Sequence, residues 1–126
     1  EREEKWSKEF KKIFSSNILL GKYPVVGVEN ENKNRYNNAD SLVIIYDVKG
    51  NEIASCNIEG EIYNLQTCED VIAVNTTREV YFINSKGMLL EKYSFKSDIS
   101  DIYFFNKNEV LIVSRDKLVI ISFGED

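Results

Sequence analysis

The chain has 126 residues, 43% of them apolar, with 21 acidic against 16 basic side chains and a net charge of −5. That length and composition suit one folded soluble domain with a real core rather than a disordered segment, and the acidic balance, spread along the sequence, offers no basic surface to nucleic acid or to an anionic membrane. No apolar run approaches the ~20 residues of a membrane-spanning helix, and no signal-peptide pattern is visible, although the chain opens at Glu1 without an initiator methionine, which leaves room for an upstream segment.

Residues 1–17 are predicted to form a short amphipathic helix. Trp6, Phe10, Ile13 and Phe14 fall at i, i+4, i+7 and i+8, one helical stripe with charges elsewhere. Beside Lys5, Lys8, Lys11 and Lys12 such a stripe also fits a membrane-surface helix, but Glu1, Glu3, Glu4 and Glu9 nearly cancel those lysines and Arg2. The expectation is a helix that docks its aromatic stripe on the side or end of sheets, without touching lipid.

From Ile18 the period becomes that of strands. Ile18 to Leu20 and Val25 to Val28 read as two short strands separated by Gly21 and by Pro24, the only proline, which suits a strand start or edge. The polar, asparagine-rich stretch Glu29 to Asn38 follows as a solvated insertion rather than a binding loop. Further strands are predicted at Leu42 to Val48, Glu52 to Ile58, Ile62 to Gln66, Val71 to Asn75, Glu79 to Asn84, Met88 to Phe95, Ile99 to Phe105, Val110 to Ser114 and Leu118 to Phe123. Turn residues separate them, among them Lys49-Gly50-Asn51, Glu59-Gly60, Lys86-Gly87 and Asn106-Lys107-Asn108. Asp40 and Asp47 flank one strand and suit hairpin caps.

Gly50, Gly87 and Gly124 recur at an interval of 37 (87 − 50 and 124 − 87), each after an apolar, β-branched run. The first two stand in near-copies of one hairpin, Val43 to Gly50 and Val80 to Gly87. A period near ~40 residues with several strands per repeat is that of β-propeller blades. The fold class expected is therefore all-β: residues 18–126 as a partial propeller of about three WD40-like antiparallel blades, at about 18–60, 61–98 and an incomplete 99–126. Three blades are fewer than the four to eight that close a ring. The chain is then either the N-terminal piece of a longer propeller or a protomer that completes its sheets with a partner copy, and self-association is expected through the strand edge near Leu118 to Phe123, paired with another copy or with Ile18 to Leu20.

Chemistry-bearing patterns are missing. There is no histidine, which removes Ser-His-Asp and Cys-His nucleophilic systems and His-containing zinc sites. No phosphate-cradling glycine motif occurs. The carboxylates Glu59, Glu61, Asp98, Asp101 and Glu109 have neither a calcium-loop nor a glycosidase arrangement and read as solvated turns. Cys56 and Cys68, twelve apart, read as reduced structural thiols, with a mutual disulfide as the competing arrangement. No catalytic, cofactor-binding or metal residue is assigned, and no cofactor. The candidate interaction residues are Trp6, Phe10, Phe14, Tyr103 and Phe105; alternation along Tyr103-Phe104-Phe105 must turn one neighbour away from the others, toward a face that a truncated propeller leaves bare.

Trp6 with Lys8-Glu9, then Gly21-Lys22-Tyr23-Pro24-Val25-Val26, the polar insertion, and Val43-Ile44-Ile45-Tyr46-Asp47-Val48-Lys49-Gly50-Asn51-Glu52-Ile53-Ala54-Ser55 follow one another in an order that resembles the N-terminal propeller region of the class C vacuolar protein sorting core subunit, the Sec1/Munc18-binding subunit of the HOPS and CORVET tethering complexes. The resemblance spans nearly the whole chain on mostly generic motifs. It implies a non-catalytic interaction scaffold in endosome, lysosome or vacuole trafficking, cytoplasmic and peripheral to those membranes, with the other subunits of a tethering complex as partners and no nucleic acid. A second hypothesis, suggested by the many Asn, Lys and Ile residues, is a bacterial extracytoplasmic propeller with a sensing or ligand-binding role. A third is an enzyme whose site lies on other blades.

Overall fold

The computed structural model describes residues 3–123; Gly124, the third glycine of the repeat, lies outside the described residues. Eleven strands are present among them: β1 (Ile13–Leu19), β2 (Tyr23–Glu29), β3 (Ser41–Tyr46), β4 (Glu52–Ile58), β5 (Asn64–Cys68), β6 (Val71–Asn75), β7 (Glu79–Asn84), β8 (Leu89–Ser94), β9 (Ile99–Asn106), β10 (Glu109–Ser114) and β11 (Leu118–Ser122). They form three antiparallel sheets in chain order, β1-β2-β3-β4, β5-β6-β7-β8 and β9-β10-β11. The innermost strands are neighbours: Asn17 Nδ2 on β1 donates to Leu65 O on β5 at 3.3 Å, and Thr67 Oγ1 on β5 donates to Ile18 O at 2.8 Å.

Alternation along each strand builds one core between each pair of sheets. Val43 and Ile45 on β3 and Val25 on β2 face Leu65, Ile72, Val74, Tyr81 and Ile83 of the second sheet. The residues between those on the second sheet, Val71, Ala73, Val80 and Phe82, turn the other way and meet Ile102, Val110, Ile112 and Phe123. Phe82 is fully buried, stacked on Phe123 with ring centroids 4.1 Å apart and edge-on to Tyr93 at 6.0 Å. The middle sheet is thus apolar on both faces, which is why β6 and β7 read as continuous hydrophobic runs.

The hairpin glycines have a packing reason for their spacing. Gly50 and Gly87 adopt φ of +88° and +78°, in the left-handed region that an L side chain enters at a cost. Asp47 closes the first of these hairpins by accepting the N–H groups of Lys49 (2.8 Å) and Asn51 (2.9 Å) on Oδ1, and these bonds, that of Asn51 foremost, hold its carboxyl below the usual range.

The N-terminal helix expected over residues 1–17 is not formed. Residues 3–10 run as an irregular arm, and β1 already begins at Ile13. The aromatic stripe divides between two environments: Phe10 packs on the outward face of the first sheet against Val26, Val28, Ile44 and Tyr46, whereas Phe14 on β1 joins the core between the first two sheets. An isolated short helix is marginal in water, and here an extended chain places both side chains against apolar surface. The strand Ile18 to Leu20 does not pair with β11: Ile18 and Leu19 belong to β1, which pairs with Pro24 and Tyr23 of β2 and meets β5 through Thr67.

Candidate functional site

At the end of the molecule where β2 runs out and β3 begins, the connection 30–40 folds over a cleft of about 530 Å³ lined by Lys11, Phe14, Glu29, Lys33, Asp40 and Glu61 among others. Four of its ionised groups form two pairs. Lys11 Nζ lies 3.2 Å from Glu29 Oε2 and Lys33 Nζ 2.6 Å from Asp40 Oδ1, while Asp40 Oδ2 accepts the Gly60 N–H at 2.8 Å. The bond from Lys33, then that from Gly60, keeps the Asp40 carboxyl below the ordinary carboxylate range. A carboxylate held ionised between two donors is poorly suited to general acid or base work near neutral pH.

The same bonds pin the loop. Buried Asn30 donates from Nδ2 to Ala39 O at 2.9 Å, and Asn34 Oδ1 accepts the N–H groups of Tyr36 (2.8 Å) and Asn37 (3.0 Å). The asparagines make turns of their own with the backbone, so the insertion has a defined shape. At its tip Tyr36 is 89% exposed, with the Arg35 guanidinium 5.5 Å from the ring centroid. Sequence reasoning missed this pair. Its signal was a lone aromatic beside an arginine inside an otherwise polar stretch, with no periodicity to carry it into a core.

The sequence-derived candidates lie on separate surfaces. Trp6 donates its indole N–H to Val48 O at 2.9 Å, and its ring stands 6.2 Å from that of Tyr46, so it packs on the β3–β4 hairpin. Phe10 lies on the same outward face, and Phe14 sits under the Lys12 ammonium, 5.2 Å from its ring centroid, at the wall of the cleft. Tyr103 and Phe105 belong to the third sheet and are 48% and 60% exposed on its outward side, whereas Phe104 turns into the core. Register places Tyr103, Leu111 and Ile120 in one row across β9, β10 and β11, with Val113 and Leu118 beside it, so that side of the third sheet is an apolar surface with no cover among the described residues.

Among the described residues no group of three or more acidic or cysteine side chains is placed to hold a metal ion. Cys56 and Cys68 are both free thiols; burial pushes Cys56 up, and burial with the nearby Glu69 carboxylate pushes Cys68 up. Both shifts leave less of the reactive thiolate at neutral pH. No helix among the described residues is long and apolar enough to cross a membrane.

Comparison with solved structures places this architecture among β-propeller-like proteins. BBS1N, crystallised in complex with ARL6DN, matches with a TM-score of 0.64 at 16% identity, over 90% of this chain and 38% of its own. Hsv2 of Kluyveromyces lactis matches with a TM-score of 0.59 at 13% identity, over 89% of this chain and 33% of its own. A protein of unknown function from Bacteroides caccae gives 0.57 at 16% identity, over 86% of this chain and 41% of its own. At these identities the likeness is one of fold, and the chain spans between a third and about two-fifths of the length of each. No curated protein matches the sequence. A family model matches residues 1–123, nearly end to end, and the chain belongs to that family, DUF5711, a family of unknown function.

Proposed function

We propose that this chain is part of a non-catalytic, propeller-like scaffold that binds other proteins through its loop end. The observation that carries this reading is Tyr36 with Arg35 on a loop pinned at its base by Asn30, Lys33 and Asp40. Tyrosine and arginine are the side chains most often found at the energetic centres of protein interfaces. A loop already ordered before binding loses little entropy when it engages a partner. The paired charges around the cleft favour recognition over chemistry.

The narrower form of this proposal is the propeller portion of a vesicle-tethering subunit, cytoplasmic and peripheral to endosome, lysosome or vacuole membranes, with other tethering subunits as partners. It is supported by the order of motifs from Trp6 to Ser55 and by the propeller-like fold. The second reading, a bacterial extracytoplasmic propeller with a sensing or ligand-binding role, is supported by the likeness to the Bacteroides caccae structure.

The test is affinity purification of the full-length protein beside its Arg35→Ala/Tyr36→Ala variant, with quantitative mass spectrometry of what accompanies each. Loss of a stoichiometric protein partner from the variant, with an unchanged unfolding transition, is the expected outcome. Identical partner recovery from both would overturn the assignment to this loop, and a small molecule retained in place of any protein would favour the second reading.

A further inference from the structure

The second and third sheets are entered by the same path. An outermost strand, β4 or β8, runs toward the loop end, a short connection (59–63 or 95–98) crosses inward, and an innermost strand, β5 or β9, runs back. Residues 3–10, then Lys11-Lys12, then β1 trace the same path. Trp6 lies at the β3–β4 hairpin, Phe10 midway along the sheet, and Lys12 at the loop end, where its carbonyl accepts the Glu29 N–H at 3.0 Å. From Trp6 to Lys12 the arm thus covers in six steps the height that β3 covers in five from Ser41 to Tyr46, which takes nearly extended chain, far from the rise of about 1.5 Å per residue of a helix.

Contacts at the hairpin glycines agree. A Cβ on Gly87 would lie 2.9 Å from Ser55 O and 3.0 Å from the Ala54 Cβ, both on the outermost strand of the preceding sheet. Gly50 holds the same place one repeat earlier, and there a Cβ would lie 2.9 Å from the Trp6 ring. Each hairpin glycine is therefore faced by the outermost strand of the sheet before it, and at the first sheet Trp6 holds that position.

We infer that Glu3 to Phe10 is the outermost strand of a further sheet standing before the first one in the ring, and that a later part of the same polypeptide supplies the three inner strands of that sheet. Among the described residues, residues 3–10 make no backbone-to-backbone hydrogen bond, so an extended strand edge is free for such a partner. The outward face of the first sheet, Val26, Val28, Ile44 and Tyr46, is the surface on which that sheet would lie, continuing the packing seen between the other sheets. The propeller-like structures that this chain matches extend well beyond the part it covers, with 33% to 41% of their lengths matched, which gives a later segment room to supply the missing strands.

Hydrogen exchange read at the amides of residues 4–9, in the full-length polypeptide and in the 126-residue chain, tests this. Protection in the full-length protein at least about a hundredfold above that in the shorter chain, and independent of protein concentration, is the expected result. Exchange equally fast in both would overturn the inference and reduce the arm to a cover. Protection that grows with concentration would assign the inner strands to a second copy and overturn the same-polypeptide origin. Trp6→Ala serves as the second measurement: it should speed exchange both at 4–9 and at the 47–51 hairpin in the full-length protein. A response confined to 47–51 would again oppose a paired strand.

Discussion

Gly87 holds two constraints at once, a φ of +78° and a backbone oxygen 2.9 Å from where its Cβ would be, so the carbonyl of Ser55 cannot yield as a flexible side chain would. Gly87→Ala is expected to cost at least about 2 kcal/mol, from left-handed strain plus displacement of the first sheet, read as a lower urea midpoint with an unchanged slope. The 37-residue spacing that exposed this position was plain in the sequence; the close approach behind it was not, because Ala54 and Ser55 precede it by some thirty residues and lie on another sheet. Asp40 shows a different limit. As a hairpin flank it was readable, but its bonds to Lys33 and Gly60 are tertiary. Since folding lowers its pKa, its stabilising contribution is complete above the ordinary carboxylate value of about 3.9 and is lost as the pH falls through the lower folded value. Protection of the loop 30–40 amides, taken relative to the intrinsic exchange rate at each pH, should therefore fall below about pH 4, and Asp40→Asn should bring that lower protection to neutral pH and flatten its dependence on acid. Loop exchange unaffected by both would show that Asp40 does not pin the loop.

At the scale of elements, apolar and β-branched patterning between turn residues made most strands readable: Glu52–Ile58 alternates, Val71–Asn75 and Glu79–Asn84 are near-continuous apolar runs, and all three begin and end where the bounding turn residues put them. The N-terminal segment failed for a physical reason. Spacings of four and seven residues mark a helical stripe only if one surface receives all the side chains, and here Phe10 and Phe14 are claimed by different faces of the first sheet. Tertiary surface, invisible from local periodicity, decided the conformation. Sheet-to-sheet packing carries the stability, and Phe82, fully buried between Phe123 and Tyr93, is its largest single contributor by volume. Phe82→Ala should cost about 3–5 kcal/mol, measured by chemical unfolding, whereas Tyr36→Ala, whose ring lies in solvent, should fall within about 0.5 kcal/mol of the parent. Comparable losses from the two would mean that the second core does not hold the sheets together.

The two ends of the sheet stack differ, and that asymmetry governs the behaviour of the whole molecule. At the first sheet the arm covers the outward face and leaves Val28, Ile44 and Tyr46 buried; at the third, Tyr103, Leu118 and Ile120 stay open, the last two 70% and 61% exposed. β11 follows the apolar pattern of β3 and β7, which lie two and one repeats earlier and are flanked on both sides by paired strands, yet β11 is an edge among the described residues. Its free N–H and C=O groups form a template for another strand. The repeat was legible in sequence, and so was the missing fourth strand of the third sheet; what the sequence could not show is that the N-terminal strand is the inner edge of the first sheet and meets β5 rather than β11, so among the described residues β11 stays uncovered when the 126-residue chain stands alone. That chain should self-associate in proportion to concentration, with light scattering giving a mass above that of one copy. Leu118→Lys with Ile120→Lys places charge on the bare face and edge, the device by which natural edge strands avoid pairing, and should return the chain to a monomer without lowering its unfolding midpoint, because neither side chain is buried. A parent chain that stays strictly monomeric at high concentration would show that the edge is blunted by some other means, and association that survives both lysines would move the contact away from β11.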